Sequence, residues 1–146
     1  MEINTTRFGE VNVEDSQIIT MPEGVIGFEG NKKYAILDHA PESPFKWFQS
    51  VDEPGLAFVI MDPIHFFPEY EADIKKTDLE FLGVKDKSGL LILTFVSIKR
   101  ETSAVTANLL GPIAINLKNF MAKQLVLSDS NYSSSHDLMA PEMVSI

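Results

Sequence analysis

Apolar positions along this chain alternate with polar ones or gather in short runs broken by Gly, Pro, Asp and Asn, a pattern of strands and turns. Ile3 to Phe8 alternates weakly, Gly9-Glu10 makes a turn, and Val11 and Val13 share a face. Ile18-Ile19-Thr20 is β-branched and suits a pleated surface. Pro22, Gly24 and Gly27 punctuate the next stretch, whose Val25, Ile26 and Phe28 predict a loop folded back onto the core. Tyr34 to Leu37 reads as a short strand. Phe45, Trp47 and Phe48 form an aromatic cluster, followed by an Asp52-Glu53-Pro54-Gly55 turn. Leu56 to Met61 is a nearly continuous apolar run, predicting a strand buried on both faces.

Beyond Asp62-Pro63 the stretch from Ile64 to Ile74 is aromatic and acidic, with Pro68 against a central strand. A short helix is predicted with Asp78 as its cap, Leu79, Phe81 and Leu82 packing, and Gly83 ending it. Leu90 to Lys99 is the longest predicted strand. Val105 to Leu110 and Ile113 to Asn116 form two short strands or a bent pair around Gly111-Pro112, and Gln124 to Leu127 is the last strand. The expected fold is all-β: a small antiparallel β-barrel-like or sandwich domain over residues 1–127 with one short helix. Residues 128–146 are Ser-rich and polar, and are expected to form a flexible C-terminal tail.

Composition narrows the function. A chain of 146 residues fits one domain and buries roughly 70% of its unfolded surface. It has no cysteine, which removes disulfides, thiol catalysis and thiolate-bound zinc. The start, MEINTTRFGE, lacks the apolar core of a signal peptide, and no apolar run nears the ~20 residues of a membrane span, so a cytoplasmic location is expected. Net charge is −9, which argues against direct contact with nucleic acid and suits a basic protein partner. Residues 38–80 hold ten acids and three bases, −7 of the total.

No constellation of catalytic residues emerges. His39, His65 and His136 have no metal-site spacing and read as surface loop residues. Gly24, Gly27 and Gly30 repeat every third position but lack the lysine and helix of a phosphate loop. Ser133-Ser134-Ser135-His136-Asp137 has the letters of a catalytic triad without its spatial fixation. The acids Asp52-Glu53 and Glu69, Glu71 and Asp73 read as a solvated face; as paired carboxylates in a deep pocket they would instead point to a small-molecule enzyme. No cofactor or metal is expected. Asn108 and Asn116 flank the apolar run bent at Gly111-Pro112, either holding the bend or presenting it to a partner.

Taken in order, these segments resemble one family. Gly24-Val25-Ile26-Gly27-Phe28 with Tyr34-Ala35-Ile36-Leu37, Pro44-Phe45-Lys46-Trp47-Phe48-Gln49-Ser50, and Phe58-Val59-Ile60-Met61-Asp62-Pro63 with Tyr70 are similar to the first half of the flagellar assembly factors, the FliW family. Asn108 to Asn116, Lys123 to Leu127 and Tyr132 resemble the second half; Gly111 and Met121-Ala122 depart from the family pattern. The resemblance implies a compact antiparallel β-barrel-like fold and two protein partners. One is flagellin, bound near its C-terminal region; the other is CsrA, a dimeric RNA-binding translational regulator. It implies partner switching: free factor antagonises CsrA, and flagellin occupies the factor and relieves that antagonism, so flagellin translation follows export. A flagellin chaperone with no regulatory role is the alternative. Charge and expected exposure select Asp52, Glu53, Glu69, Tyr70, Asp73, Asn108, Leu109 and Asn116 as candidate contacts.

Overall fold

The computed structural model of the chain describes residues 1–38, 40, 42–99, 104–128 and 130–138, so the reading of His39 lies outside it. Eleven strands and one α-helix form among these residues: β1 Glu2–Thr5, β2 Gly9–Asn12, β3 Ile19–Thr20, β4 Lys33–Asp38, β5 Phe45–Ser50, β6 Ala57–Met61, α1 Lys76–Leu82, β7 Leu90–Lys99, β8 Ala104–Ala107, β9 Ile113–Asn116, β10 Ala122–Gln124 and β11 His136–Asp137. Every ladder is antiparallel. The main sheet runs β10-β9-β7-β6-β5-β4-β3, with β8 on the far half of β7 and β11 on β8. It curls until its two ends meet at a single bridge between Thr20 and Met121. No ladder forms there: the fold is the expected all-β antiparallel domain with one short helix, its sheet strongly curled but not closed into a barrel.

Both faces of the sheet are covered, which is why the aromatic cluster at residues 45–48 is a strand. Alternation along β5 sends Phe48 into the concave core with Tyr34, Ile60, Leu93, Ile113 and Ile115. Tyr34 stacks on Phe48 with ring centroids 4.4 Å apart, and such a pair adds about 1 kcal/mol beyond its area. Trp47 points the other way, under the β1–β2 hairpin with Ile3, Ala35 and Leu37, and carries the Arg7 guanidinium 4.0 Å from its ring. A third apolar group, on Phe45, Met61, Tyr70, Leu82, Val96 and Leu109, is roofed by α1 and the C-terminal segment.

The helix starts at Lys76, with Lys75 as cap and no side-chain cap bond; Asp78 lies in its first turn and is ion-paired to Lys123 at 2.6 Å. Gly83 ends it at φ +78°, its N–H reaching the Glu80 carbonyl, a left-handed position that disfavours other residues. The chain between β8 and β9 is one interrupted strand along β7. Val96 pairs with Ala107 and Leu93 with Ile113, so three steps along β7 answer six along its partner. The excess loops out as the Asn108–Pro112 bend, held by the Gly111 N–H donating to Asn108 Oδ1 at 2.8 Å.

Described residues beyond Leu127, expected to be a flexible tail, pack on the fold in this structure. The N–H groups of Leu109 and Leu110 both donate to the Ser133 carbonyl, at 3.1 and 3.2 Å, and β11 pairs with β8. Leu138 is buried in the core, its N–H on the Val105 carbonyl. The folded body therefore runs at least to residue 138.

Candidate functional site

The eight candidate residues do not share one surface. Tyr70, Leu109 and Asn116 are 8%, 1% and 3% exposed and face inward, against the expectation that they are exposed. Tyr70 Oη donates to the Leu109 carbonyl at 2.8 Å, and burial pushes the phenol pKa up, with the neighbouring Tyr132 adding to the shift. Asn116 Nδ2 donates to the Leu82 carbonyl at 2.7 Å while its Oδ1 accepts from Lys118 N at 2.9 Å, docking the end of α1 on β9. Asn108 is half-buried and holds the bend described above. A side chain at Gly111 would meet the amide ends of Asn108 and Gln124 at 3.1 Å.

The four acids are exposed but sit at two places. Asp52 and Glu53 follow the Ser50 end of β5, where Glu53 N–H donates to Ser50 Oγ at 3.0 Å. That turn is pinned from below by Gln49, whose Nε2 donates to the carbonyls of Ser50, Pro54 and Leu56 at 3.1, 3.1 and 3.2 Å. Glu69 and Asp73 belong to the segment after β6, which is tied to the other end of β5 by Phe66 stacking on Phe45 at 5.8 Å. The two ends of β5 are about 17 Å apart at ~3.4 Å per residue. The acid-rich sequence segment is thus divided between opposite ends of the sheet.

Where carboxylates do gather, the site is shallow. Glu71 and Asp73 border a depression of ≈ 130 Å³ with Lys75 and Val126, and Glu71 is ion-paired to Lys87 at 3.1 Å. Both carboxylates are exposed, so they lack the contrasting environments that set an acid apart from a base. Among the described residues no group of three His, Cys, Asp or Glu side chains is placed to hold a metal. No helix among them is long and apolar enough to cross a membrane.

The feature with the strongest binding chemistry is a groove of ≈ 540 Å³ between the 66–70 segment and the C-terminal segment. Its walls are the half-buried rings of Phe66, Phe67 and Tyr132, its floor Leu109, and Glu69 and His136 line it as well. The rings converge: Tyr70 and Tyr132 lie 4.7 Å apart, Phe67 and His136 5.8 Å, and Tyr132 and His136 6.2 Å. Hydrogen bonds lock both walls. Tyr132 Oη accepts from Glu71 N at 3.0 Å, and the Ser133 carbonyl takes the bend amides. Sequence reading missed this site because it assigned residues 132 and 136 to a free tail; the adjacency of Tyr132 and His136 in a Ser-rich stretch was the available signal.

A second exposed apolar feature corrects the expectation for residues 25–28. Val25 is buried, but Ile26 and Phe28 are 59% and 43% exposed. The loop is nonetheless tied to the rest of the fold. Gly24 has φ +69°, and a Cβ there would lie 2.7 Å from the Glu29 Cα; Ile26 N–H donates to Gln124 Oε1 at 2.9 Å.

Comparison with known proteins places the whole of this architecture. The sequence profile of the family described as FliW protein matches residues 2–138. The flagellar assembly factor FliW of Treponema denticola is 44% identical over 140 residues, 96% of this chain and 95% of that one. The Bacillus subtilis flagellar assembly factor FliW is 38% identical over 138 residues, covering 94% and 96%. A crystal structure of a flagellar assembly factor FliW superposes with a TM-score of 0.87 at 31% identity, covering 96% of this chain and 98% of that one.

Proposed function

The chain belongs to the FliW family of flagellar assembly factors, and on that premise we propose that it is a cytoplasmic, non-enzymatic binding protein for flagellin and for the translational regulator CsrA. Free factor antagonises CsrA; flagellin, bound near its C-terminal region, occupies the factor and releases CsrA to repress flagellin translation. The observation that carries this reading is the match along nearly the entire chain to relatives that are flagellar assembly factors. The distribution of charge supports it: exposed acids suit the basic surface of an RNA-binding protein, because complementary fields speed encounter.

The test is co-purification from motile cells with the tagged chain as bait. Flagellin and CsrA are expected as the main partners, and purified flagellin is expected to displace CsrA. Capture of flagellin with no affinity for purified CsrA would leave only the chaperone role. Reversing Asp52 and Glu53 together, and Glu69 and Asp73 together, should slow CsrA association and flatten its salt dependence at the end that CsrA uses. Unchanged kinetics in both double variants would refute charge-steered binding.

A further inference from the structure

We infer that the aromatic groove between residues 66–70 and 132–136 is a docking site for a cationic, apolar peptide segment of a protein partner, one large apolar side chain seated on the rings and a neighbouring Lys or Arg beside Glu69. The inference rests on the reading of the chain as a protein-binding factor and assigns that binding a place.

The argument begins with shape and chemistry. Three half-buried rings, Phe66, Phe67 and Tyr132, face one open space, and its floor is the fully buried Leu109. Rings left partly in water and arranged around a concavity gain on covering, and aromatic residues dominate the binding energy of protein interfaces. The groove is also preformed. Tyr70 Oη on the Leu109 carbonyl, Glu71 N–H on Tyr132 Oη and the two bend amides on the Ser133 carbonyl fix both walls to the sheet. An occupant therefore meets ordered side chains, and little conformational entropy is lost on the receiving side.

Charge selects the occupant. Among the described residues the lining contains no lysine or arginine, and Glu69 has no ion pair. Glu71, two positions along, is already neutralised by Lys87. A neutral apolar peptide would leave the Glu69 carboxylate half-desolvated at the rim without a partner, and an acidic one would be repelled. A cationic group there is matched by an exposed carboxylate with a free valence for it.

The test uses the full chain with purified flagellin and purified CsrA as probes, each titrated at two salt concentrations. Glu69→Lys and Phe67→Ala are compared with Glu10→Lys, an exposed position on the β1–β2 hairpin that changes net charge equally. The expected result is an affinity at least tenfold lower for one probe in both groove variants, a flatter salt dependence in Glu69→Lys, and wild-type binding in Glu10→Lys. Should Phe67→Ala fail to fold by its melting curve, Glu69→Lys decides alone. Wild-type affinity for both probes in the groove variants overturns the site while leaving the family function standing. Equal losses in Glu69→Lys and Glu10→Lys overturn it too, since net charge then explains the effect. Failure of the unmodified chain to bind either probe overturns the binding function itself, and the groove assignment falls with it.

Discussion

Replacing Tyr70 with Phe tests the contact on which the candidate groove is built. The substitution removes one oxygen and leaves the ring, so packing against Tyr132 is kept and no cavity of ring size opens. What disappears is the 2.8 Å hydrogen bond to the Leu109 carbonyl, in a place where both residues are buried. A buried acceptor left without its donor costs about 1–3 kcal/mol, more than the ~1 kcal/mol net worth of an ordinary hydrogen bond, because water does not replace the lost partner. At about 3 °C per kcal/mol for a domain of this size, the melting temperature should fall by roughly 3–9 °C. Urea denaturation followed by fluorescence gives the free energy directly, with an unchanged slope against denaturant if only stability has changed. Tyr132→Phe is the control: its hydroxyl accepts from the N–H of exposed Glu71, where water substitutes, and the expected change is within ~0.5 kcal/mol. A Tyr70→Phe protein within 0.5 kcal/mol of wild type would show that the Leu109 carbonyl finds another donor, and that the groove floor is not fixed from this side.

The remaining expectations concern alkali and the C-terminal boundary. Burial, helped by Glu53, pushes the Tyr34 phenol up to about 12, and Tyr70 is raised as well. Above pH 10 the unfolded chain releases these protons while the folded one keeps them, so each tyrosine lowers stability by about 1.4 kcal/mol per pH unit; its contribution is whole below pH 10 and, for Tyr34, gone above about 12. Urea titrations between pH 9 and 11 should show that decline with a shallower slope in Tyr34→Phe, and identical slopes would refute the assignment. Leu138→Ala, in a segment whose sequence reads as tail, should cost about 2–3 kcal/mol because the side chain is buried in the core. Wild-type stability for that variant in the same urea assay would return the boundary to Leu127.

Elements whose causes are local were legible in the sequence. The apolar run from Leu90 to Lys99 is β7 as read, and Gly83 ends α1 because only its own backbone conformation is at issue. Readings failed where the cause is distant. Asp78 looks like a cap, but its partner is Lys123, 45 positions away, and the helix begins two residues earlier. Tyr70 and Asn116 look like contacts for another molecule, yet their hydrogen bonds go to backbone carbonyls 39 and 34 positions off in the same chain. β11 is invisible for the same reason: a polar, Ser-rich stretch has no pattern of its own, and it is ordered by amides at Leu109 and Leu110 and by the burial of Leu138.

The separation of the acids also bears on how one small domain could serve two partners in turn. Mutual exclusion is usually pictured as two ligands sharing the same residues, and the division of Asp52-Glu53 from Glu69-Asp73 argues that sharing is unnecessary. An ordinary interface covers about 800 Å² on each partner, a patch roughly 30 Å across. Asp52-Glu53 follow one end of β5 and the segment holding Glu69 and Asp73 is tied to its other end, the two ends being about 17 Å apart at ~3.4 Å per residue. Two partners centred on these ends, as proposed above, would have footprints reaching about 15 Å from centres ~17 Å apart, so the footprints would overlap and each would lower the apparent affinity of the second by mass action. The sheet, covered on both faces, suits that mode.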